Sequence, residues 1–190
     1  MDKKTKVAVL VSGGGTNLQA IIDKVQSGEL PQVELVKVIS SKEGAFALER
    51  AAKAGIPTAV AKEQADVLNE LKACGTELIV LAGYMKVLSE EIIKEYRNRI
   101  INIHPSLIPK YCGKGFYGIR VHNAVIAGGE TESGATVHYV DEGVDTGEII
   151  LQRKVPVEPG DTPEELAARV LKVEHVILAE GLKIAIDNLK

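Results

Sequence analysis

Three short runs, KVAVLVS (6–12), VELVKVIS (33–40) and ELIVLAG (77–83), are mostly apolar and rich in β-branched residues. A strand that is apolar on both faces needs cover on both faces, which is the condition of a buried parallel sheet. The stretches between them, NLQAIIDKVQSG, AFALERAAKAG and residues 63–73, place apolar side chains at helical spacing and supply that cover. PTAV (57–60) reads as a further short strand and SEEIIKEY (89–96) as a further helix. The alternation predicts an α/β fold, an open, doubly wound, mostly parallel sheet of Rossmann-like type.

After Pro105 the pattern changes. A Gly-rich loop leads to a helix over 118–127, and two runs follow, SGATVHYV (133–140) and EIILQRKVPV (148–157), joined by the turn-rich DEGVDTG. That connection is too short for a crossover, so the two runs are predicted to be an antiparallel C-terminal strand pair that makes the sheet mixed. Thr162, Pro163, Glu164 and Glu165 mark a helix start: hydroxyl cap, proline in the first turn, acid three residues beyond the cap. The helix is expected to run to near Asn188 with Leu166, Val170, Val173, Ile177 and Leu178 on its packed face. A chain of 190 residues, 45% hydrophobic and without linker or repeat, fits one domain over 1–190.

Charge and composition narrow the partners. The net charge is −3, no block of like charges exceeds Lys3, Lys4 and Lys6, and aromatics make up 4% with no tryptophan. Neither a nucleic-acid surface nor a base-stacking platform is expected, so the partners are read as small molecules. Val7 to Val11 is shorter than the roughly 7–15 residues of a signal-peptide core, and no apolar run approaches the roughly 18 of a membrane span. Cys74 and Cys112 show no C-x-x-C spacing and no nearby His pair, so neither a metal site nor a disulfide is expected, and the cytoplasm is the expected compartment.

Chemistry is concentrated in three places. Ser12-Gly13-Gly14-Gly15-Thr16-Asn17 follows the first strand and opens the first helix, where glycines admit a ligand and free N–H groups attract an anion. Leu18 stands where a dinucleotide fingerprint needs its last glycine, and Gly-Lys-Ser/Thr is missing, which leaves a single phosphate or a plain tight turn capped by Thr16 or Asn17. Asn102 and His104 interrupt the apolar run RIINIH just before Pro105, two residues apart and hence on one face of a strand end. An amide can donate to a developing oxyanion and an imidazole can move a proton, although a core pair satisfied by loop backbone has the same spelling. Asp141-Glu142-Gly143-Val144-Asp145-Thr146-Gly147 is an ordinary acidic turn unless it folds over the same edge, where a carboxylate would orient His104. His138 is read as a structural strand histidine and His122 as solvent-facing on its helix.

SGGGTNLQAII, LAGYMKVL (81–88), INIHPSLIPKY (101–111), GATVHYVDEGVDTGEIILQ (134–152) and Glu174-His175 together resemble the folate-dependent formyltransferases, and within them the phosphoribosylglycinamide formyltransferase family. The resemblance extends from about Val7 to the last helix. It implies that the three places form one site with Asn102, His104 and Asp145 as its catalytic trio. It implies two small-molecule substrates: glycinamide ribonucleotide, with its phosphate on Gly15, Thr16 and Asn17 and Glu174 near its glycinamide amine, and the co-substrate 10-formyltetrahydrofolate, along Met85, Lys86, Val87, Leu88 and Asp141. Asp145 is then expected to keep His104 protonated as a second oxyanion donor, with no metal and no covalent intermediate, in a monomer or homodimer. Lys86 stands where arginine is common, and AVAKEQADVLNEL is shorter than in many relatives. Related hydrolases and tRNA formyltransferases carry further domains, for which the chain length is expected to leave no room.

Overall fold

The computed structural model describes residues 3–189. Seven strands, β1 (Thr5–Val11), β2 (Val33–Ser40), β3 (Thr58–Val60), β4 (Leu78–Leu81), β5 (Ile100–His104), β6 (Glu132–Tyr139) and β7 (Ile149–Pro156), form one sheet in the order β3-β2-β1-β4-β5-β6-β7. The first five are parallel, as the doubly apolar runs require. β6 is antiparallel to both β5 and β7, so it is the one reversed strand, inserted between two that run with the rest.

Period-two alternation divides each central strand between two cores. Val7, Val9 and Val11 of β1 join Val80 of β4, Leu18, Ile21 and Ile22 of α1 (Thr16–Gln26) and Val170, Ile177 and Leu178 of α6 (Pro163–Asp187). Ala8 and Leu10 face the other way, with Ile79, Val67 and Leu71 of α3 (Gln64–Ala73) and Ile92 of α4 (Glu90–Glu95). Burying one such side chain fully contributes about 1.5–3 kcal/mol, so slipping a strand by one residue is prohibitive. α2 (Phe46–Lys53) and α5 (Ile119–Ala127) complete the cover.

The expected packed face of α6 is buried, with Val173 half-buried against the same core. Thr162 caps it as read: its Oγ1 accepts from the Glu165 N–H at 3.2 Å and its own N–H donates to Glu165 Oε2 at 2.8 Å. One expectation is overturned. His122 does not face solvent; it is 4% exposed, lying with Val121 and Val125 on the inner face of α5.

The fold brings three chain segments to one edge. Leu10, Leu81 and Asn102 are in register across β1, β4 and β5. With neighbouring strands about 4.8 Å apart, the carboxyl ends of β1 and β5 lie about 10 Å from each other. Ligands of open α/β sheets collect at this edge.

Candidate active site

The glycine-rich turn after β1 is held by its carbonyls. The Ala47 N–H donates to the Gly13 oxygen at 3.0 Å, and Arg50 Nε donates to the Gly14 oxygen at 2.7 Å. No side chain caps α1, whose N-cap is Gly15 at φ +73. Glycine is required there twice over, since a Cβ would also lie 2.5 Å from that of Ala47. The capping role considered for Thr16 or Asn17 is therefore absent, and the first-turn N–H groups, which a helix leaves without internal partners, are presented at the sheet edge. The Asn17 amide is used elsewhere: Nδ2 donates to Glu174 Oε2 at 2.7 Å. Glu174 is buried on α6, and burial raises its carboxyl above the usual range against the opposing effect of that hydrogen bond.

At the end of β5, Asn102 and His104 lie opposite His138 and Thr136 of β6. Asp145, in the β6–β7 loop at φ +58, reaches into this group. Its Oδ1 accepts from Asn102 Nδ2 at 3.5 Å and lies 3.6 Å from His138 Nε2; its Oδ2 accepts from the Gly113 N–H at 2.9 Å and lies 3.5 Å from His104 Nδ1. The strand pair Asn102 and His104 and the distant loop residue Asp145 are thus in one cluster.

Hydrogen-bond logic fixes the ring tautomers. His104 Nε2 is 2.9 Å from the Tyr111 carbonyl oxygen, which can only accept, so Nε2 carries a proton and Nδ1 faces Asp145. His138 Nδ1 likewise donates to the Tyr139 carbonyl at 2.7 Å, and in the neutral ring Nε2 accepts from Asn102 Nδ2 at 3.1 Å. His138, assigned no chemical part from sequence, therefore sets the orientation of the Asn102 amide. The signal for it was the shared i, i+2 spacing of Asn102/His104 and Thr136/His138, which becomes meaningful only once the two strands are paired antiparallel.

The electrostatics depart from expectation in one respect. Burial drives the His104 pKa below the ordinary imidazole value, outweighing the Tyr111 carbonyl and the Asp145 charge, with His138 adding to the lowering. Burial therefore favours the uncharged ring, against the expectation that Asp145 holds it protonated. Burial raises Asp145, but the neighbouring His138 and His104 rings and the Gly113 N–H outweigh it and take it below the usual carboxylate range.

This cluster forms one end of a cleft of about 590 Å³, lined also by Tyr84 to Leu88, Ile93, the Gly113–Gly118 loop, Val140, Asp141 and Val144. The size and the mostly apolar wall with a few polar groups suit a small organic ligand. Met85 and Val87 are exposed toward it and Leu88 is buried. The ammonium of Lys86 donates to the Lys62 carbonyl, while Gln64 Oε1 accepts from the Ser89 N–H at 3.0 Å and Gln64 Nε2 donates to Tyr84 at 3.3 Å. The short segment after β3 is thereby tied to the Tyr84–Ser89 strip. Asp141 lines the cleft but spends Oδ1 within its own loop, on the Gly143 N–H and the Thr146 hydroxyl. Ser12 joins the glycine turn to the cleft, its Oγ accepting from the Met85 N–H at 2.9 Å.

Comparison with known proteins places this geometry. The formyl transferase family matches residues 5–182. The chain belongs to the formyl transferase family. It is similar to the phosphoribosylglycinamide formyltransferase of Haemophilus influenzae, with 44% identity covering 90% of this chain and 82% of that one. The trifunctional purine biosynthetic protein adenosine-3 of Drosophila pseudoobscura pseudoobscura is 50% identical over 95% of this chain, which spans only 14% of that protein's length. Among solved structures, glycinamide ribonucleotide transformylase 1 from Symbiobacterium toebii superposes with a TM-score of 0.90 at 38% identity, covering 97% of this chain and 89% of the other. The α/β sheet with its reversed late strand is that of the formyl transferase relatives.

Proposed function

We propose that this chain transfers the formyl group of 10-formyltetrahydrofolate to the amine of glycinamide ribonucleotide, a step of purine synthesis. The observation that carries this reading is the meeting of Asn102, His104 and Asp145 at the end of an apolar cleft, two strand spacings away from the glycine turn that opens α1. The names of the relatives point the same way.

In this reading Met85, Lys86, Val87, Leu88 and the Asp141 loop hold the folate ring. The N–H groups at Gly15, Thr16 and Asn17 hold the ribonucleotide phosphate, with Glu174 beside its glycinamide portion. Asn102 donates to the formyl oxygen as that oxygen gains charge, exchanging its long 3.5 Å contact with Asp145 for the substrate. One such donor is worth about 2.7–4 kcal/mol of barrier. His104 Nδ1 accepts the proton that the amine loses as its bond to the formyl carbon forms. The resulting imidazolium is held between Asp145 and the Tyr111 carbonyl, and it returns the proton to the folate nitrogen as that carbon–nitrogen bond breaks. Residues 1–190 act as one catalytic domain, as a monomer or homodimer, in the cytoplasm.

The test is to mix the purified chain with 10-formyltetrahydrofolate, with and without glycinamide ribonucleotide, and follow tetrahydrofolate. Product only with the ribonucleotide is expected. Equal product without it assigns the site to hydrolysis, and no product in either case removes the reading.

A further inference from the structure

We infer that Tyr111 is a positioning residue for His104, kept in place by a clamp on its hydroxyl; this rests on the part proposed above for His104. Tyr111 sits at φ +52, in the left-handed region that a bulky side chain rarely adopts. That conformation turns its carbonyl onto His104 Nε2 at 2.9 Å, which holds the ring proton there and leaves Nδ1 for the reaction.

Something must hold the backbone so. The Tyr111 hydroxyl donates to Glu130 Oε1 at 3.0 Å, and Lys110 Nζ donates to both Glu130 oxygens at 2.9 and 3.0 Å. The ring meets Phe116 edge-on, with centroids 6.2 Å apart. Gly128 makes room for the clamp: a Cβ there would lie 2.2 Å from the Tyr111 hydroxyl oxygen. Packing encloses the ring only in part: it lies half-buried against the main core, but a cleft of about 270 Å³ opens beside it, lined also by Ser106, Val125, Glu130 and Ser133. The hydroxyl bond therefore completes what packing leaves open on the cleft side. The other titratable groups around His104 are Asp145 from the β6–β7 loop, His138 from β6 and His122 from α5.

Tyr111→Phe and Glu130→Leu both remove the clamp, whereas Glu130→Gln keeps an acceptor oxygen for the hydroxyl. The imidazole ¹⁵N shifts of His104 report its tautomer without any need for turnover. The wild type is expected to show the proton on Nε2. Tyr111→Phe and Glu130→Leu are expected to show a mixture, with kcat lowered about tenfold and KM within about twofold, and Glu130→Gln is expected to behave as wild type. Wild-type tautomer and kcat in folded Tyr111→Phe would overturn the inference. So would a mixture in the wild type. An inactive wild type with the expected tautomers would remove the proposed reaction and leave the positioning intact.

Discussion

His104 is pulled in two directions, and the balance makes a pH prediction. Burial lowers its pKa and the Asp145 carboxylate raises it, and burial wins. If neutral His104 takes the amine proton, kcat/KM for the ribonucleotide rises with pH through that lowered pKa and levels off at a lower pH than an ordinary imidazole would require. A rate that falls as pH rises through the same range would mean that the charged ring is the working form. His104→Ala and Asp145→Ala are each expected to lower kcat by about 10²–10⁴-fold, with circular dichroism unchanged. Near-normal turnover in either folded variant removes that residue from the reaction. Asn102, His104 and Asp145 were legible in the sequence only with the family resemblance beside them, because strand spacing alone does not say where a distant loop lands. His138 was illegible for a related reason, since its partner Asn102 is set by strand pairing and not by its own neighbours. The lowering of the His104 pKa was illegible because burial is a property of the whole fold.

Among the elements, the sheet was read correctly because short β-branched, apolar runs alternate with longer segments at helical spacing, the pattern of a parallel sheet covered on both faces. The start of α6 was read for an equally local reason, since a capping box lies within four residues. Thr162→Ala is expected to lower unfolding free energy by about 1 kcal/mol in urea titration without changing kcat. No change in the urea midpoint would show that the cap contributes nothing. α5 misled because its buried face includes positions 121, 122 and 125, which places a histidine inside beside two valines. The reversal of β6 against β5 was not foreseen, because only the β6–β7 connection is short enough to dictate direction. The start of α1 was ambiguous in sequence, and the structure makes Gly15 its cap. Gly15→Ala forces a Cβ against Ala47 at φ +73, and we expect a stability loss of about 1–3 kcal/mol together with a raised KM for the ribonucleotide. An unchanged KM would detach this turn from substrate binding.

For the molecule as a whole, function depends on one sheet edge receiving contributions from both ends of the chain. The turn after β1 is bonded to α6 through Asn17 and Glu174, and to the strip after β4 through Ser12 and Met85. Asp145 reaches the end of β5 from the late β6–β7 loop. Two substrates held on either side of the Asn102–His104–Asp145 cluster can react directly, with no enzyme-bound formyl group in between. The decisive measurement is the fate of an isotopic label in the formyl carbon of 10-formyltetrahydrofolate. Direct transfer predicts that the label appears in the ribonucleotide in amounts equal to the tetrahydrofolate formed. Label recovered as free formate, with the ribonucleotide unmodified, would contradict the account.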